Sequence, residues 1–156
     1  MIRPTAAADI PHLVAATEAT KKFRPIEVEA LREVLDDYFA REHQHGHHCV
    51  TFERDGHILG FAYYAPAPMT DRTWHLWWIV VRPDRHGGGI GGTLLKHVEE
   101  DIRRQNGRIL FIETGSQPLY DATRRFYIKH GYELHATLHD FYAAGDGMVV
   151  FRKLMQ

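Results

Sequence analysis

Residues 74–100 read WHLWWIVVRPDRHGGGIGGTLLKHVEE. Trp77-Trp78-Ile79-Val80-Val81 is an apolar, aromatic and β-branched run, which predicts a strand buried on both faces. Pro83 stops it, and the link from Arg82 to His86 leads into Gly87, Gly88, Gly89, Ile90, Gly91 and Gly92. Leu94, Leu95, Val98 and Ile102 then recur at helical spacing. The order is therefore strand, glycine loop, helix. Glycines let the backbone take positive φ and approach a ligand closely, and the first turn of a helix offers unpaired N–H groups and the positive end of its dipole. A pyrophosphate suits that arrangement.

Three other readings of such a loop fail on context. Gly87-x-Gly89-x-x-Gly92 has the dinucleotide spacing, and Glu113 follows about twenty residues on, where an acid would meet a ribose. In that motif, however, the strand runs almost directly into the first glycine, whereas a charged, proline-containing link intervenes here. A P-loop closes with Gly-Lys-Ser/Thr, but Gly92 is followed by Thr93-Leu94. His86-Gly87-Gly88-Gly89 imitates a lipase oxyanion loop, which needs a G-x-S-x-G elbow; the only serine is Ser116, in Thr114-Gly115-Ser116-Gln117-Pro118.

The stretch resembles the signature of the GCN5-related N-acetyltransferase (GNAT) family, a strand ending V-x-P followed by R/Q-x-x-G-x-G/A at the start of a helix. Val81-Arg82-Pro83 and His86-Gly87-Gly88-Gly89-Ile90-Gly91 carry the match, with His86 where Arg or Gln is usual. Downstream, Ala122-Thr123-Arg124-Arg125-Phe126-Tyr127-Ile128-Lys129-His130-Gly131-Tyr132 is similar to the family's A-x-x-x-F-Y-x-x-x-G-F segment.

The resemblance implies an α/β fold: a mixed, mostly antiparallel sheet of six or seven strands with helices on both faces. The strands ending at Val81 and Glu113 are expected to splay and admit acetyl-CoA. Ile79, Val80 and Val81 would border its pantetheine arm, and His86, Gly87, Gly88, Gly89, Ile90, Gly91 and Gly92 its pyrophosphate. Tyr120 stands where the family often has an Asn that contacts that arm. Tyr127 matches the acid that protonates the leaving thiolate, and Glu113 resembles a glutamate used as general base, with His75 and Asp71 competing for that role. The implied activity is transfer of an acetyl group to a primary amine, on a small molecule or a peptide, by direct attack and without a metal. A non-catalytic acyl-CoA-binding module and a transferase for a longer acyl group are the alternatives. A homodimer is an allowed assembly.

The 156 residues, 44% hydrophobic and 25% charged, predict one domain spanning 1–156. A formal charge of −1 gives no reason to expect nucleic acid or an anionic membrane as partner. The absence of a long apolar run and a lone Cys49 lead to a cytoplasmic expectation. In chain order, Met1 to Arg3 predicts a short strand, and Thr5 or Asp9 caps a helix through about Glu18. A second helix runs from Ile26 to about Gln44. A hairpin turns at Asp55-Gly56. Further expectations are a strand over Arg108 to Glu113, a helix near Leu119 to His130, and a closing pair of strands. Glu42-His43-Gln44-His45-Gly46-His47-His48 invites a metal reading, but Gly46 interrupts any helical pair, and a solvated helix end is the simpler account. Cys49 reads as a small core residue rather than a nucleophile. Adjacent Trp77 and Trp78 must point to opposite sides of their strand, one to the core and the other free to line an acceptor pocket.

Overall fold

The computed structural model describes every residue from Met1 to Gln156. Seven strands and four helices follow in the order β1 (Ile2–Pro4), α1 (Ile10–Ala19), α2 (Pro25–Ala40), β2 (His48–Arg54), β3 (His57–Pro66), β4 (Thr73–Val81), α3 (Ile90–Arg104), β5 (Ile109–Gly115), α4 (Asp121–Lys129), β6 (Glu133–Ala143) and β7 (Asp146–Leu154). The sheet order is β1-β2-β3-β4-β5-β7-β6. Pairings β1–β2, β2–β3, β5–β7 and β6–β7 are antiparallel, while β4 and β5 run parallel from Thr73 opposite Ile109 to Leu76 opposite Ile112. No helix is long and apolar enough to cross a membrane.

The chain divides into two units, one of residues 1–66 and 78–98, the other of residues 67–77 and 99–156. In the first, Phe61 and Tyr63 of β3 pack with Leu13 of α1 and with Leu31 and Leu35 of α2. The opposite face of β3 is covered by α3, since a Cβ placed on Gly60 would lie 3.2 Å from Leu94 Cδ1. Helices on both faces explain why Leu59 to Ala65 is buried without alternation. Asp55 and Gly56 both take positive φ, +53° and +77°, the geometry of a tight hairpin turn.

Helix ends depart from the sequence expectation in ways that side chains explain. Thr5 does not cap α1; its hydroxyl pairs with that of Thr51 at 2.7 Å. Asp9 instead accepts the N–H of Ala6 at 2.8 Å and is gripped by Arg3, opening a 3₁₀ turn ahead of the helix. Pro25 lies inside α2 at its first turn, where no intrahelical N–H is needed, so the helix begins one residue ahead of the expected Ile26. That helix stops at Ala40, short of Gln44, and Glu42–His45 form a 3₁₀ turn ended by left-handed Gly46.

In the second unit, α4 and the end of α3 lie on one face of the strands. Tyr127 of α4 is 5.6 Å from Phe151 between ring centroids, and Phe151 is paired with Ile112. Lys153, paired with Leu110, reaches Glu99 of α3 at 3.1 Å. The other face carries no helix of this unit.

Candidate active site

In the first unit, the N–H of Arg82 donates to Leu59 O at 2.8 Å, so alternation along the strand turns the amides of Ile79 and Val81 to the edge away from β3. Val80 is only 3% exposed and belongs to the core cluster. His86 donates from Nε2 to Val81 O at 2.8 Å; a carbonyl only accepts, so Nε2 carries the hydrogen. The side chain that breaks the motif thus ties the loop back to the strand. Gly87 and Gly89 have φ of +85° and +79°, and a Cβ on either would meet nothing within 4 Å. Their requirement is conformational, and it leaves open space in front of the loop. Gly89 O accepts from both the N–H and the hydroxyl of Thr93, at 3.0 and 2.9 Å, which starts α3 at Ile90. An open cradle of left-handed glycines ahead of a fifteen-residue helix fits a pyrophosphate.

In the second unit, the strand registers sort the predicted residues onto two faces. His75 lies opposite Phe111, and their rings are 6.1 Å apart. Glu113, two residues beyond Phe111, shares that face, and its Oε1 is 3.6 Å from His75 Nε2. Two of the three base candidates are therefore neighbours, both partly exposed. Asp71 is engaged by arginines instead. Its carboxylate is hydrogen-bonded by Arg72 at 2.9 Å, has Arg108 3.9 Å away, and is held below the usual carboxylate range by those guanidinium groups.

Tyr127 is on the opposite face, 3% exposed and edge-on to Phe126 and Tyr132. Burial pushes its phenol above the ordinary tyrosine value, so the proton is held throughout the neutral range. Tyr120 packs flat on Gly115, where a Cβ would lie 2.5 Å from its ring. That close approach explains the glycine, a constraint legible only once the 3₁₀ turn at Pro118–Tyr120 is known. Arg124 also escaped the sequence reading. It donates to the carbonyls of Gly115 and Gln117 and pairs with Asp121, clamping the turn between β5 and α4.

Further expectations resolve as follows. Trp78, 5.2 Å from Phe23, packs against the core cluster, whereas Trp77 is 46% exposed. The strand is therefore not buried on both faces along its second half. Cys49 is 2% exposed, and burial pushes its thiol up to about 12, which leaves no thiolate for nucleophilic work at neutral pH. The histidine cluster is engaged in local contacts: His43 with Tyr38 O at 2.7 Å, His45 with Glu42 at 3.4 Å, His47 with the Tyr63 hydroxyl at 2.6 Å, and His48 stacked on Tyr64.

Comparison with known proteins agrees with this geometry. A GNAT-family protein from Desulfovibrio desulfuricans, known from its crystal structure, is 34% identical with a TM-score of 0.95, over 100% of this chain and 99% of that one. The S-(2-succino)cysteine N-acetyltransferase of Bacillus subtilis is 30% identical over 88 residues, so this chain spans about half the length of that curated relative, 53%. A Salmonella typhimurium structure with its cofactor acetyl-CoA shares the fold, at 16% identity and a TM-score of 0.79, over 100% of this chain and 94% of that one. Residues 14–132 match the profile of the acetyltransferase (GNAT) family, and the chain belongs to that family.

Proposed function

We propose that this protein moves the acetyl group of acetyl-CoA to a primary amine by direct attack, as a single catalytic domain of the cytoplasm that needs no metal. The observation that carries the reading is the passage from the free edge of β4, through Gly87 and Gly89 at positive φ, into the first turn of α3. Acetyl-CoA supplies the activated thioester. The loop N–H groups hold its phosphates, and an N–H at the end of β4 receives the charge that develops on the carbonyl oxygen.

Proton handling falls to two groups on opposite faces of the second unit. An Nε2–H tautomer of His75 keeps its hydrogen toward Glu113 and leaves the Nδ1 lone pair to take a proton from the arriving ammonium. Glu113 balances the resulting imidazolium. The 3.6 Å separation is long for a hydrogen bond and shortens once the ring is charged. Tyr127 gives its proton to the departing sulfur and is replenished by the second proton of the attacking nitrogen, so one proton in all leaves through His75. Base on one face and acid on the other suit an amine and a thiol that approach and depart separately.

The test is thiol release from acetyl-CoA across amines, amino acids, polyamines and peptides, with the protein's mass and oligomeric state recorded alongside. Amine-dependent release supports the reading. Clear acetyl-CoA binding with no release above hydrolysis would make the chain an acyl-CoA-binding module, and faster release from a longer acyl-CoA would change the donor.

A further inference from the structure

We propose that the acceptor is a primary amine carrying a single positive charge on an apolar, preferably aromatic, body, and that it lies on the helix-free face of the second unit. This deepens the acetyl-transfer reading and rests on it. Strand registers build the face. Phe111 is opposite His75 on one side and Arg152 on the other, and Arg152 is opposite Glu133. Glu113 is opposite Val150 in the next rung, and Leu138 of β6 lies further along.

Two properties of this face select the acceptor. The first is apolar surface. Leu138 is 40% exposed, and both Phe111 and Val150 are partly so. His135 adds its ring 6.0 Å from that of Phe111. Such surface gains from covering by a flat or aliphatic body and offers aromatic faces to an ammonium.

The second is charge. The carboxylate of Glu113 is matched by His75, and that of Glu133 by Arg152 in a close ion pair. Asp140, at the far end of β6, accepts the N–H of Gly145 at 2.7 Å. A polyamine or aminoglycoside needs several carboxylates close to the base in excess of local cations, and here only Glu113 stands beside it, with Glu133 held by Arg152 and Asp140 at the far end of β6.

The test compares 2-phenylethylamine with spermidine at fixed acetyl-CoA. The expected kcat/KM for phenylethylamine is at least about tenfold higher, a discrimination that an apolar contact of this size supplies. Phe111→Leu should reduce that advantage through KM, and Leu138→Ala provides a second variant should the first fold poorly. Equal or better use of spermidine overturns the inference while leaving acetyl transfer intact. If no amine is turned over, the acetyl-transfer reading itself fails. Saturation-transfer NMR then judges the face alone: phenylethylamine bound by the native protein and weakened in Phe111→Leu sustains it, and no binding, or binding unchanged in Phe111→Leu, overturns it.

Discussion

At the scale of single residues, Tyr127, the proposed acid, shows how burial both equips and limits such a group. Its neighbours Phe126, Tyr132 and Phe151 exclude water and raise the phenol above its ordinary value, which secures the proton but makes full transfer to a thiolate less favourable. Tyr127→Phe keeps the ring in that packing. Acetyl-CoA affinity should persist, and kcat should fall at the lower end of the range for general acids, about 10²-fold. A loss below about tenfold, with chemistry rate-limiting, would reduce Tyr127 to a packing residue. His75 makes the complementary prediction. In His75→Gln, kcat/KM for an alkylammonium should drop, whereas an arylamine, already neutral at pH 7, should be spared. The sequence identified Tyr127 by its motif, but His75 and Glu113 remained rivals in it. Their pairing depends on the parallel register of β4 and β5, which local pattern does not encode.

At the scale of elements, the glycine loop was legible because its demands are local: two left-handed positions and the start of a long helix. Gly89→Val must force a β-branched residue to φ near +79° and fills the space in front of the loop. Calorimetry should find acetyl-CoA affinity reduced by about tenfold or more, corresponding to at least one lost N–H bond to a charged oxygen. Unchanged affinity in a folded variant would move the phosphates elsewhere. What remained hidden are contacts between elements distant in sequence. Glu99 of α3 is 6% exposed and is held by the Tyr132 hydroxyl at 2.7 Å, Lys153 of β7 at 3.1 Å and Arg103 at 3.8 Å. Lys153→Met strands that carboxylate with its remaining partners. Urea unfolding should record a loss near the lower end of about 3–5 kcal/mol. The end of α2 was misjudged because Gly46 is the first stop the sequence offers, whereas the helix ends at Ala40 and a 3₁₀ turn over Glu42–His45 fills the interval.

At the scale of the whole molecule, protons held by buried groups set the alkaline limit. Burial raises the phenols of Tyr63, Tyr127 and Tyr132, the last aided by Glu99, and pushes Cys49 up to about 12. In the unfolded chain these groups release their protons near the reference values of about 10 for tyrosine and 8.5 for cysteine. Between those values and the folded ones, the unfolded state binds fewer protons, so stability must fall as pH rises. The urea midpoint should be level from pH 7 to about 8 and decline above about 9. A level midpoint through pH 10.5 would mean that these side chains ionise without unfolding the chain. The two-sided sheet of the second unit has a consequence for inheritance as well. Odd-numbered positions of β5 face the proposed acceptor, and even-numbered ones, Leu110 and Ile112, face the helices. Alternate codons of one short strand therefore answer to different selections. A descendant of this gene can exchange Phe111 to accept a new amine while the layer that seats Tyr127 is inherited unaltered.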